Sequence, residues 1–192
     1  MSPSYIIQFI IMNMKSKSNL SVLDIAAGSG GFVFDLLEIK ELSFVFLVAV
    51  DNGLYEKVYD EDFEEEFNEN VLKYKSETNN SSKVILQYFK QDEYRFLEKT
   101  YNKYDIINIS NFLHFFDWDT ICKYIKLSLS KLQPDGRIFI NVARTGHSSK
   151  RIKYFFDEND IENLKKIFNI IQWKQEANHF IICISNNSVN IV

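Results

Sequence analysis

The stretch Val22-Leu23-Asp24-Ile25-Ala26-Ala27-Gly28-Ser29-Gly30-Gly31-Phe32 carries the fold. An apolar run ends in an acid, a glycine-rich turn follows, and a helical pattern opens behind it. Glycine lets the backbone turn tightly and lets a ligand approach the main chain. The first turn of a helix offers unpaired N–H groups and a partial positive charge to an anionic group. A strand that feeds a helix in this way is the start of a βαβ unit.

The same alternation continues outward. Apolar β-rich runs recur at Ser21–Ile25, Phe44–Val50, Val84–Phe89, Asp105–Ile109 and Arg137–Val142, then at Phe168–Trp173 and His179–Ser185. Several are continuous rather than alternating, as strands covered on both faces should be. Helical spacing marks Gly31–Leu42, Asp117–Leu132 and Asp160–Phe168, the last with Asp157 or Asn159 as its cap. The segment Glu56–Glu69 holds eight acids against Lys57, yet Phe63, Phe67 and Val71 recur at i, i+4 and i+8. It predicts an amphipathic helix with an acidic solvated face. Only KQEAN separates the last two runs, too little for a parallel crossover, so they pair as an antiparallel hairpin. The expected architecture is a three-layer α/β/α sandwich. Its Rossmann-like seven-stranded sheet is mostly parallel, with an antiparallel C-terminal hairpin strand. One domain is expected over residues 1–192, with an N-terminal helical segment at 1–19, started by Ser2 and Pro3, and a core at 20–185.

Composition narrows the function. At 192 residues with 46% hydrophobic and 25% charged, the chain is neither disordered nor collagen-like. Its formal net charge of -4 argues against a whole-chain cationic footprint for nucleic acid. Cys122 and Cys183 lie far apart in apolar patterns, so they read as buried thiols in a reducing compartment rather than a disulfide or zinc framework. No metal motif is present, and no metal is expected. The apolar stretch from Tyr5 to Met12 is too short to span a bilayer and is not built like a signal peptide. The expected location is the cytoplasm, with no membrane association.

Acids converge on the carboxyl ends of the predicted strands, where open α/β sheets bind ligands. Asp24 ends the first strand and Asp51 the second, where an acid takes both hydroxyls of a ribose. Asp92 follows the third, where a short acid reaches an exocyclic amine, and Ser110-Asn111 follows the fourth. Taken singly, Asp51 and Asp92 are also ordinary turn formers or helix caps.

These residues resemble the class I S-adenosylmethionine-dependent methyltransferases over roughly Leu20 to Ser185. VLDIAAGSGGF resembles the family's glycine-rich first motif, and VAVDNG its ribose-holding second-strand acid. KQDEYRF resembles the third-strand motif that meets adenine, YDIINISNFLHFF the fourth-strand segment, and LQPDGRIFINV the turn into the fifth strand. YFFDENDIENLKKIFNIIQW resembles a late helix–strand unit of the small-molecule branch. The resemblance implies S-adenosylmethionine as cofactor and S-adenosylhomocysteine as product. It implies cofactor contacts from Asp24, Ala26, Gly28, Ser29, Gly30, Asp51, Asn52, Asp92, Glu93, Ser110 and Asn111. Methyl transfer to a small molecule would then be an in-line displacement driven mainly by orientation. His114, just past the fourth strand, is the candidate base. The basic loop Arg144–Lys153 offers Arg144, His147 and Arg151 to the acceptor.

Two departures stand out: Ala26 replaces the first glycine of the loop, and Asp135 replaces a glycine in the fifth-strand turn. The short N-terminal stretch leaves the pocket open or completed by a second chain, which brings a homodimer into view. SNFL after the fourth strand differs from the Asn-Pro-Pro-aromatic tetrad of amino-methylating DNA enzymes. The alternatives are a non-catalytic subunit of the same fold and a nicotinamide dinucleotide-dependent oxidoreductase.

Overall fold

A computed structural model describes residues 5–56, 61–77, 84–144 and 151–186. Its strands form a seven-stranded sheet in the order β3 (Ile85–Lys90), β2 (Phe44–Asp51), β1 (Leu20–Ile25), β4 (Tyr104–Ser110), β5 (Leu132–Ala143), β7 (His179–Ser185), β6 (Asn169–Glu176). The pairs β1–β2, β2–β3 and β4–β5 are parallel, and β7 runs antiparallel to both β5 and β6. Helices flank the sheet, as the alternating sequence pattern requires. The chain divides into two compact units, Met1–Thr100 and Tyr101–Val192.

The first unit begins with α1 (Tyr5–Met14), whose Ile6, Ile7, Phe9, Ile10 and Met14 are buried. The expected start at Ser2 and Pro3 lies outside the described residues. Strand β1 (Leu20–Ile25) pairs in parallel with β2 (Phe44–Asp51), and β2 with β3 (Ile85–Lys90). Between β1 and β2, α2 spans only Gly31–Leu37, not to Leu42 as the spacing predicts. Asp35 and Glu38 put like charge at the negative end of that short helix, which has no basic residue in its last turn. Ile39 and Leu42 are buried nonetheless, carried by consecutive tight turns.

The acidic helix is displaced along the chain. Helix α3 runs Phe63–Glu77, because Asp62 caps it: its Oδ1 accepts from the Glu64 and Glu65 N–H groups at 3.1 and 3.2 Å. Phe63 and Phe67 are buried as predicted, and Val71 is half-buried. Glu56 stays outside that helix; its Oε1 accepts from the Phe63 N–H at 3.1 Å while its Oε2 pairs with Lys90 at 2.8 Å. Helix α4 (Glu93–Lys99) has no counterpart in the predicted elements. At seven residues it buries only Glu93, Phe96 and Leu97, too few for a periodicity to declare itself.

The second unit holds β4 (Tyr104–Ser110), a 3₁₀ turn (Leu113–Phe115), α5 (Trp118–Leu129), β5 (Leu132–Ala143), α6 (Glu158–Ile167), β6 (Asn169–Glu176) and β7 (His179–Ser185). Asp117 and Asp157 cap α5 and α6, and the Asp157–Asp160 pair forms a reciprocal capping box. The hairpin is tighter than KQEAN suggests, since β6 extends to Glu176 and leaves Ala177 and Asn178 as the turn. Leu132 belongs to β5 rather than to the preceding helix, so the LQPDG turn is absorbed into the strand. There the register jumps: Tyr104 faces Leu132, but Ile106 already faces Arg137. The Arg137 Nη1 group holds the bulge by donating to the carbonyls of Asp135 and Gly136 at 3.0 and 2.9 Å.

Gly136 is required by that bulge, because a Cβ there would lie 2.8 Å from the Tyr104 carbonyl oxygen. Gly136→Ala is therefore expected to destabilise the protein by about 1–3 kcal/mol. Gly31→Ala, where a Cβ meets nothing within 4 Å, should be neutral or stabilising. Equal denaturant midpoints for the two variants would remove the close-approach argument.

Candidate ligand site

The glycine loop is built from the ends of β1 and β2. The Ala27 N–H donates to the Val50 carbonyl at 3.1 Å, and the Gly28 N–H donates to Asp51 Oδ2 at 2.8 Å. The other carboxylate oxygen of Asp51 accepts from the Gly53 N–H at 2.8 Å. One buried carboxylate thus ties the loop after β1 to the turn after β2. Such charge-assisted bonds are roughly twice as strong as neutral ones.

The loop is left-handed at Ala26 (φ 56°), Gly28 (φ 56°) and Gly30 (φ 80°). Ala26 therefore occupies the conformation its missing glycine would favour, at a cost of about 1–2 kcal/mol. Gly30 is held to glycine twice over, because a Cβ would also lie 2.5 Å from the ring of Phe67. That ring sits 5.2 Å from Phe34 and 5.3 Å from Tyr88, so α3 packs directly beneath the loop. On Gly28 the Cβ direction is open, with nothing within 4 Å.

Around this loop the predicted residues separate by environment. Asp24 and Asp51 are buried, Ser29 is half-buried, and Asn52 and Asp92 are exposed. Asp92 is the cap of α4, its Oδ1 accepting from the Arg95 N–H at 2.8 Å. The buried acid at that position is its neighbour Glu93, only 2% exposed. Its two oxygens accept from the backbone N–H and the Nδ2 group of Asn52, at 3.2 and 3.0 Å. Burial pushes the Glu93 carboxyl up to about 7, and the Asp51 charge adds to the rise, while the Asn52 hydrogen bonds oppose it. Tyr88, which sequence reasoning overlooked, is likewise raised by burial and then by the Asp51 and Glu56 charges. Its signal was a tyrosine at an inward-alternating position of β3.

In the second unit, Ser110 Oγ donates to Oδ1 of the buried Asn108 at 2.9 Å. Asn108 was also overlooked, although an asparagine inside the run DIINI is a visible anomaly. Asn111 is left-handed (φ 55°) and donates its N–H to the Asn141 carbonyl at 2.9 Å. His114 is buried, and its Nδ1 accepts from the Ala143 N–H at 3.3 Å. Its carbonyl accepts from the Lys153 and Tyr154 N–H groups, both at 3.0 Å. With Nδ1 accepting, the neutral ring carries its proton on Nε2. Arg144 is half-buried and Arg151 exposed, whereas His147 lies outside the described residues. Cys183 is buried, with its thiol pushed up to about 12 by burial, but Cys122 is only half-buried, less than its pattern predicts. Among the described residues, no helix is long and apolar enough to cross a membrane.

No family model matches the chain, and no curated protein matches it by sequence. Solved structures do match. Magnesium protoporphyrin IX methyltransferase (ChlM) from Synechocystis, with bound S-adenosylhomocysteine, is similar at 14% identity and TM-score 0.67, over 94% of this chain and 80% of that one. The 1,6-didemethyltoxoflavin-N1-methyltransferase of Burkholderia thailandensis, with bound 1,6-didemethyltoxoflavin and S-adenosylhomocysteine, gives 15% identity and TM-score 0.67, over 94% and 76%. The N-methyltransferase NodS of Bradyrhizobium japonicum, in complex with S-adenosylhomocysteine, gives 15% and 0.59, over 95% and 86%. At such identities the likeness is one of fold, and the chain has the fold of these methyltransferases.

Titration of Glu93 yields a sharp expectation. Unfolded, its carboxyl titrates near the ordinary 4.5; folded, near 7, so the folded chain holds the extra proton between those values. Stability from this group is greatest below about 4.5 and falls as pH rises to about 7, by on the order of 2–3 kcal/mol. Glu93→Gln should flatten that fall, measured as the denaturant midpoint at pH 5 and pH 8. The same pH slope in both proteins would show that the carboxyl does not titrate there.

Proposed function

We propose that the chain is an S-adenosylmethionine-dependent methyltransferase acting on a small molecule, working as one domain whose core spans residues 20–185. The observation that carries this reading is the loop around Gly28. Its backbone is left-handed, its Cβ direction is open, and its N–H is pinned by the buried Asp51. A main chain held in that way accommodates a ligand at van der Waals distance, which is what a nucleoside cofactor needs from a glycine loop. The three neighbours described above carry the same fold and were each crystallised with S-adenosylhomocysteine, which supports the same cofactor here.

The residues present fit that group. Asp51 keeps lone pairs on both oxygens after accepting one N–H on each, so it can still receive ribose hydroxyls. Asp24, Ala26, Ser29, Gly30 and Asn52 complete the loop and its neighbouring turn. Asp92 and Glu93 divide the third-strand role: Asp92 is exposed and reaches outward, and Glu93 supports Asn52 from below. In the second unit, Ser110 and Asn111 stand at the carboxyl end of β4, the end at which open α/β sheets take ligands.

When bound, the cofactor supplies an electrophilic methyl group on a sulfonium. The chain's own contribution is to hold the acceptor in line and exclude water, an orientation effect that supplies about 7–11 kcal/mol. His114 enters as a positioning residue. Its Nδ1 lone pair is taken by the Ala143 N–H, so a base role would require that bond to break. Held thus, it fixes the 3₁₀ turn to the end of β5 and to the segment at Lys153 and Tyr154.

Calorimetric titration with S-adenosylhomocysteine should show micromolar binding, and none for NAD. Asp51→Ala should weaken it at least tenfold, and Asp51→Asn by less, because the amide keeps one acceptor. No binding of the adenosyl ligand to the unmodified protein would overturn the cofactor assignment. For His114, the pH profile of turnover should keep its shape in His114→Asn, whose Oδ1 replaces the Nδ1 acceptor. Loss of the acidic limb of the profile in that variant would restore the base role.

A further inference from the structure

At the carboxyl end of β5, within the second unit, a cleft of about 260 Å³ is lined by Arg144, Phe156, Asp157, Glu158, Asn159 and Phe180. It is smaller than the pockets that hold drug-sized ligands, about 300–1,000 Å³, which points to a small metabolite. Phe156 and Phe180 are both buried and make an apolar floor.

Arg144 is fixed at its backbone. Its N–H donates to the Asn178 carbonyl at 2.9 Å, it bridges Phe156 in parallel, and the Phe156 N–H donates to the Ala143 carbonyl at 3.1 Å. Its guanidinium lies 5.9 Å above the centroid of the Phe180 ring. At that distance, near the outer limit of cation–π attraction, the ring face draws the guanidinium toward the cleft floor. Among the described residues, that guanidinium makes no ion pair or hydrogen bond.

The acids of the cleft are not equivalent. Asp157 is engaged in the cap of α6: its Oδ1 accepts from the Asp160 N–H at 3.0 Å, and Asp160 Oδ2 accepts from the Asp157 N–H at 2.9 Å. Tyr154 fixes Asp160 in turn, donating its hydroxyl to Oδ1 at 2.7 Å. Glu158 is exposed, as Asp157 is, but it stands outside the capping pair, and among the described residues its carboxylate has no cationic partner. The cleft thus presents one cation and one available anion, with an apolar floor and the Asn159 side chain also in its lining. A simple anion would meet the field of Glu158 and Asp157, and a simple cation that of Arg144.

We propose that this cleft binds an amino acid, its carboxylate on the Arg144 guanidinium and its ammonium on Glu158. Taking this zwitterion as the methyl acceptor rests on the methyltransferase reading above; the binding itself does not.

The test is a charge series on one skeleton, followed by ligand-observed NMR: L-phenylalanine, 3-phenylpropionate and 2-phenylethylamine. L-Phenylalanine should bind at least tenfold more tightly than either singly charged analogue. Arg144→Gln should weaken L-phenylalanine and 3-phenylpropionate at least tenfold and strengthen the amine, which no longer meets the guanidinium charge. Glu158→Gln, at an exposed position, should weaken L-phenylalanine and the amine and strengthen 3-phenylpropionate. Equal affinities across the series, no binding of L-phenylalanine at millimolar concentration, or indifference of its binding to both substitutions would overturn the proposal. S-adenosylhomocysteine titrated into the same samples separates the two readings. Cofactor binding without amino-acid binding overturns the cleft assignment alone. Amino-acid binding with the predicted variant pattern but no cofactor binding supports the cleft and overturns the methyl-transfer reading.

Discussion

The carboxylate of Asp51 is the constraint on which the first unit turns. Buried at the end of β2, it accepts the Gly28 N–H on one oxygen and the Gly53 N–H on the other. Two turns that would otherwise be independent loops therefore share one anchor. The left-handed backbone at Ala26 and Gly28 is tolerable because that anchor holds it in place. Beneath it, Glu93 secures Asn52, and the main chain after β3 returns to the same place through the Gln91 N–H on the Asp51 carbonyl. Three strand ends are thus joined by hydrogen bonds centred on one acid.

Packing reinforces this from the other side. Phe67 touches Gly30 so closely that no side chain fits there, and its ring also meets Phe34 and Tyr88. The acidic helix is therefore a structural support for the glycine loop, and its charges lie on the outward face. In the second unit His114 has a comparable part. One side chain and one carbonyl join the turn after β4 to Ala143, Lys153 and Tyr154.

Much of this was legible beforehand because it follows from burial. Strands such as Phe44–Asp51 and His179–Ser185 are continuous apolar runs, and an interior strand has little choice but to be one. The glycine loop and Asp51 were legible because their chemistry is tied to position at a strand end. Capping decided what periodicity missed. Asp62 moved the start of α3, and Asp92 started α4 and stayed exposed, which left Glu93 as the buried acid beside it. The bulge that drew LQPDG into β5 depends on the Tyr104 backbone, a contact between distant residues that no local pattern reports. The engagement of His114 Nδ1 by Ala143 is of the same kind.

The order of the last three strands has a consequence for how the chain is made. β7 lies between β5 and β6, so the strand synthesised later is the inner one. Until Ser185 has left the ribosome, the outer edge of β5 is open and β6 has no partner to pair with. From Ala143 to Ser185 is 42 residues (185 − 143), roughly 2–8 s of translation at about 5–20 residues per second. For that interval the nascent chain displays an unpaired apolar edge, the type of surface that templates aggregation. Cover of the β5 edge during those seconds is therefore a requirement for yield separate from the final stability of the sheet.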